Sequence, residues 1–179
     1  MKSKNNIIFI LLIIVMAGCA TTYTNRNPTG EHFPNVSGQS LEKKELSLPN
    51  YFEGSKVVLL LGYKQDSQFD IDRWLIGLDQ TKTEVKVYEL PTIQGLFPRM
   101  FKTFIDEGMR SGIPKELWGG VITIYDGGSE IQEFTGNVNP NNARVVLLDK
   151  NGKIIYFYDR GFSVDALNKL RDSLYEIHD

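Results

Sequence analysis

At 179 residues with 41% apolar side chains, the chain is the size of one domain with an ordinary core. A formal charge of -2 supplies neither the basic surplus that nucleic acid attracts nor the acidic excess of a solvating tail, so nucleic acid is excluded as a partner class. With Cys19 as its one cysteine, the chain cannot close an internal disulfide or build a cysteine-based metal site.

The first element is a leader. Lys2 and Lys4 precede an uncharged run, Ile7 to Ala17, which is too short to span a hydrocarbon core of about 20 helical residues and reads as a secretory signal. It ends in Met16-Ala17-Gly18-Cys19, which resembles the lipobox of bacterial lipoproteins, with Met16 in place of the usual leucine. The resemblance implies a signal peptide over 1–18, cleavage before Cys19, and lipid on the Cys19 sulfur. The membrane then becomes a partner through that lipid, and two or more acyl chains hold stably where one does so marginally. Ala20 carries no acidic retention signal. The expected location is therefore the periplasmic face of the outer membrane in a two-membrane bacterium and the outer face of the plasma membrane otherwise. Residues 19–31, polar and containing Pro28 and Gly30, read as a flexible lipidated tether, and 32–179 as the folded domain.

Within the domain, Lys56 to Leu61 predicts a strand covered on both faces. Asp70 to Leu78 predicts a helix with Ile71, Trp74, Leu75 and Leu78 on its inner stripe and Asp70 at its start. Glu84 to Leu90 alternates as a second strand. Leu96 to Met109 reads as a second helix, with Leu96, Met100, Phe104 and Ile105 near one face. Val121 to Tyr125 is a strand, Ser129 to Thr135 a short helix, and Arg144 to Leu148 a strand that turns at Asp149-Lys150-Asn151-Gly152 into Lys153 to Tyr158. Val164 to Ile177 closes the chain as a helix capped by Ser163, with Leu167, Leu170 and Leu174 inward. The order describes an α/β sandwich with a mixed central sheet and helices on both faces.

The chemistry on these elements is sparse. Lys64, Gln65, Asp66 and Gln68 occupy the carboxyl end of the first core strand, where open α/β sheets bind ligands, although a solvated connection is the plain alternative. Tyr63 adjoins that loop, and Trp118 beside Gly119 and Gly120 is a surface candidate. The histidines, His32 and His178, lie at opposite ends of the domain, so no metal site is expected. No serine sits in a nucleophile elbow, and Tyr125 to Ser129 lacks a phosphate-loop lysine, so no cofactor is expected.

The order of elements resembles the thioredoxin-like fold in its peroxiredoxin-type branch. It is similar further to the mitochondrial ATP-synthase assembly-factor family of that fold and its bacterial relatives. His32-Phe33-Pro34-Asn35, Leu48-Pro49, Asp72-Arg73-Trp74, Tyr88-Glu89-Leu90-Pro91, Ile113-Pro114 and Val145 to Ile154 carry the likeness. Laid on this sequence, the pattern's redox cysteines fall at about Asp66 and Phe69, and its active-site proline near Ala143. A carboxylate cannot attack a disulfide as a thiolate does. The lipobox and the cysteine-free loop together point to a membrane-anchored, redox-inactive, non-enzymatic module that binds another envelope protein, with Tyr63, Lys64, Asp66, Trp118 and Arg144 as candidate contacts, and the family resemblance implies an assembly role for it. The alternative is a non-thiol enzyme or small-molecule binder that uses Lys64, Asp66 and Arg144. A third reading is a purely structural envelope lipoprotein with neither partner nor pocket.

Overall fold

The computed structural model describes residues 21–95 and 100–176. The leader, Cys19, Leu96 and Ile177 lie outside the described residues. Among the described residues, seven strands and four α-helices follow in order: β1 Val36–Ser40, β2 Glu45–Leu48, β3 Val57–Gly62, α1 Gln68–Gln80, β4 Lys86–Pro91, α2 Lys102–Gly112, β5 Ile122–Thr123, α3 Gly128–Thr135, β6 Arg144–Leu148, β7 Ile154–Tyr158 and α4 Val164–Tyr175.

The central sheet runs β4-β3-β6-β7, with β3 parallel to β4 and antiparallel to β6. A second sheet, β2-β1-β5, joins it where Val121 and Ile124 form parallel bridges to Glu89 and Thr92. The mixed sheet expected from the sequence is therefore present, and so are helices on both of its faces. Residues of β3 alternate between two cores, as a pleated strand requires. Val58 and Leu60 face Trp74, Leu78, Leu167 and Leu170 of α1 and α4, while Val57, Leu59 and Leu61 face Ile131 of α3 together with Phe33, Leu48 and Phe52. Trp74 is fully buried against Tyr158 and Phe162, the core role its spacing predicts. The Ser163 cap forms as expected, its Oγ accepting from Ala166 N.

Three local outcomes differ from the sequence reading. The hairpin β1–β2 was not anticipated, because VSGQS and ELSL carry too few apolar residues to announce strands. In the 149–152 turn only Gly152 takes a positive φ, while Asp149 Oδ1 accepts from the N–H groups of Asn151 and Lys153 and a bulge falls at Leu147/Leu148. At α2 the stripe expected to be internal faces out: Phe104 is 80% exposed, as is Met100 at 72% just before the helix, while Asp106 is the buried residue of α2.

The stretch 19–31, expected to be a flexible tether, is docked over its described part, 21–31. Tyr23 and Asn137 exchange hydrogen bonds, Arg26 N donates to Thr135 O, and Gly30 N donates to Ile154 O while Ile154 N donates to Glu31 O. Gly136 makes the docking possible, since a Cβ there would lie 2.2 Å from Asn25 Cα. Polar composition suggested freedom, but these side chains and amides are spent on the domain.

Candidate functional site

At the carboxyl ends of β3 and β4 a cleft of about 1270 Å³ opens between the start of α1, helix α2 and the loop 137–140. Its near wall is the connection from β3 to α1. Ser67 is buried there, donating from Oγ and N to Lys64 O, and the tight turn pushes Lys64, Gln65 and Asp66 into solvent. Phe69, one turn on, is 70% exposed on the rim. The far wall is Phe104, Ile105 and Met109, and the base includes Pro91, Thr92 and Ile93.

A polar network ties the base together. Gln132 Nε2 donates to Thr92 O, Asn137 Nδ2 donates to Gln132 Oε1 and to Thr21 O, and so the start of the described chain borders the cleft. Near the mouth, Gln68 Nε2 donates to Asp72 Oδ1 at 2.9 Å and to Glu89 Oε2 at 3.1 Å, which gathers two carboxyl groups around one amide. Burial pushes the Glu89 carboxyl above the ordinary range; the Gln68 hydrogen bond pulls it back and Asp72 adds to the rise. Glu89 was not singled out as a site residue by sequence. The signal that finds it is positional: an acid near the carboxyl end of a strand parallel to β3 belongs to the ligand-binding end of such a sheet.

The candidate contacts separate into three groups. Lys64 and Asp66 are exposed and line the cleft. Tyr63 also lines the cleft but is buried, its hydroxyl bonded to the Thr135 hydroxyl and its ring 4.8 Å from the Arg144 guanidinium carbon. Loss of water pushes the Tyr63 phenol up to about 12. Arg144 is fully buried and does not line the cleft; its guanidinium donates to the carbonyls of Val138, Asn139 and Asn142 and to Asn25 Oδ1. Burial lowers its ordinarily very high pKa. The expected trio of Lys64, Asp66 and Arg144 is therefore not assembled, because Arg144 is a fastener for the 138–142 loop and the docked N-terminal segment. Trp118 is not among the cleft-lining residues; it is half-buried, its indole N–H bonded to Ile113 O with Arg110 over the ring.

Beneath the cleft a second fastener works through Asp70, which is buried in the first turn of α1. Its carboxylate accepts from Ala143 N at 2.9 Å and Phe162 N at 2.7 Å. A proline at 143, near which the resemblance places that of the redox pattern, would have no N–H to give. The sequence's departure at Ala143 and the acid at Asp70 thus form one device. The groups on the cleft wall offer neither thiolate nor imidazole, and among the described residues no cluster of three or more metal-ligating side chains occurs.

No protein-family model matches the chain, and no curated protein matches it. Solved structures do. The thioredoxin domain of a thiol-disulfide oxidoreductase from Bacteroides vulgatus superposes with a TM-score of 0.54 at 18% identity, over 83% of this chain and 99% of that one. A thiol peroxidase from Chromobacterium violaceum gives 0.56 at 12% identity, over 85% and 90%. The exposed lipoprotein thioredoxin of Streptococcus pneumoniae gives 0.50 at 13%, over 79% and 100%. At these identities the likeness concerns the fold, which is thioredoxin-like.

Proposed function

We propose that this thioredoxin-like chain is a membrane-anchored, redox-inactive module that binds another protein of the cell envelope through the cleft. The observation that carries the reading is the replacement at the active end of the fold. Where the pattern calls for a cysteine pair, Asp66 and Phe69 stand on the rim of a cleft of about 1270 Å³. Its walls are largely apolar and two of its phenylalanines face solvent, the composition of a binding groove rather than of a thiol site. The anchor rests on the lipobox-like Met16 to Cys19 sequence, and a lipoprotein of this fold is known from Streptococcus pneumoniae. No helix among the described residues is long and apolar enough to cross a membrane.

The test is photo-cross-linking in intact cells with the reactive side chain at Asp66. A single protein captured in high yield, lost with Phe69→Asp and retained with Tyr175→Asp at the far end of α4, supports the module. Capture no greater from position 66 than from position 175 overturns it.

One observation favours a second reading. Asp72 and Glu89, held by the Gln68 amide inside the cleft, are suited to a small polar ligand, and this replaces the trio that included Arg144. A ligand that binds the native chain and loses affinity with Glu89→Gln would favour it over protein binding.

A further inference from the structure

Helix α2 turns its polar side to the protein. Asp106 is buried and accepts from the Tyr125 hydroxyl, and Arg110 Nε donates to Leu41 O. Its apolar side is left to solvent: Phe104 at 80% exposure, with Met100 at 72% in the turn before. Across the cleft Phe69 is 70% exposed on the first turn of α1. A large exposed apolar side chain standing alone needs no explanation, whereas several around one opening mark a surface that something covers.

The course of the chain says what covers it. Thr21 borders the same cleft and is held by Asn137 Nδ2 at 2.8 Å. Cys19 is two residues earlier, and two residues of chain reach at most about 7 Å. With segment 21–31 docked, only two residues separate Cys19 from Thr21 at the cleft, so anything attached to Cys19 is held within that reach of it. A lipid there would carry the cleft's exposed phenylalanines, Phe69 and Phe104, toward the bilayer, with the exposed Met100 four residues before Phe104.

We propose that this rim is a bilayer-contact surface, with the phenylalanine and methionine side chains entering the boundary between headgroups and acyl chains. The inference rests on the lipid-anchor part of the proposed function and gives the domain an orientation; it assigns Phe69 and the rim to lipid where the protein-binding part assigns them to a partner, and the test below separates the two. Amphipathic helices lie in membrane interfaces by burying an apolar face in this manner. The rim is not basic: Lys64 is accompanied in the cleft lining by Asp66, Asp72 and Glu89. The contact is therefore with the apolar part of the lipid and is insensitive to salt.

The test uses the mature chain from Cys19 onward, lipidated at Cys19, in vesicles of phosphatidylethanolamine and phosphatidylglycerol that contain nitroxide-labelled lipid. An acylated Cys19 has no free thiol, so a fluorophore placed through Phe104→Cys reports one position. Phe69→Cys provides a second rim probe and Tyr175→Cys a control on α4. Several-fold stronger quenching at 104 and 69 than at 175, unchanged in high salt, is the expected result. Equal quenching at all three positions overturns the inference, as does a label shielded in intact cells but not in vesicles, which would mean that a protein covers the rim. Intact mass separates the two levels. An acylated chain without preferential quenching sinks the orientation alone, whereas an unacylated chain that stays off the vesicles sinks the anchor reading and the orientation together.

Discussion

Helices α1 and α2 flank the same cleft and answer opposite demands. In α1 the apolar stripe is inside: Ile71, Trp74 and Leu78 are buried against the sheet and α4. In α2 the buried residue is Asp106, and Phe104 looks out. Both sequences show apolar residues at helical spacing, and that spacing shows only that a helix has an apolar face. Which way the face points depends on what the rest of the fold leaves uncovered. The central sheet already has α1 and α4 on one side and α3 on the other, whereas α2 meets the body through the Tyr125 hydroxyl and the Leu41 carbonyl, both polar.

The sharpest way to break this contrast is truncation on each helix. Trp74→Ala opens a cavity in a fully buried site and should cost about 3–5 kcal/mol in denaturant unfolding. The indole N–H has no acceptor among the described residues, so Trp74→Phe should cost well under half of that. Phe104→Ala should change stability by no more than about 0.5 kcal/mol, the usual range for an exposed position. A comparable loss at both sites would mean that α2 is packed by its apolar face after all. Next in size is the polar fastening of α1. Asp70→Ala strands the N–H groups of Ala143 and Phe162, at about 1–3 kcal/mol for a buried group left unpaired, and Asp70→Asn should recover part of it by keeping one acceptor. A negligible effect would show that α1 is held by its apolar stripe alone.

These devices also explain how much was legible in the sequence. Elements whose burial follows from their own residues were readable: β3 as a continuous apolar run, β6 at Arg144–Leu148, and α4 with its Ser163 cap. Elements whose burial is decided elsewhere were not. The strands β1 and β2 are specified by pairing with each other and with β5, and the segment 21–31 by amides and a glycine more than 100 residues away. The site divides in the same way. Lys64 and Asp66 reach the cleft because a loop at the carboxyl end of β3 has nowhere else to go. Tyr63 is buried yet lines the cleft, whereas Arg144, read as a contact, is internal, because a guanidinium can satisfy itself on an aromatic ring and nearby carbonyls once water is removed. Glu89 escaped notice because its role depends on β4 lying parallel to β3, a fact of topology rather than of local sequence.

The smallest expected effect sharpens the comparison from the side of charge. Asp106 is a carboxyl group on the inner face of α2. Burial raises it above the ordinary carboxylate range, against the pull of the Tyr125 hydroxyl and of Arg110 and Lys102. A group that holds its proton more tightly in the folded state than in the unfolded one contributes its full stability below the unfolded value. That contribution fades as pH rises through the folded one. The native chain should therefore lose a little stability relative to Asp106→Asn as pH climbs from below the ordinary aspartate range toward neutrality. Glu89 is raised in the same direction and adds a slope of the same sign, but it is common to both proteins and cancels in the difference. Unfolding curves of the two proteins across this range give the answer directly. A difference that grows in favour of the native chain would mean that Tyr125, Arg110 and Lys102 outweigh desolvation. The inner face of α2 would then be an ion-binding surface rather than a reluctantly buried acid, and the exposure of Phe104 would follow from attraction on the polar side instead of from lack of room on the apolar one.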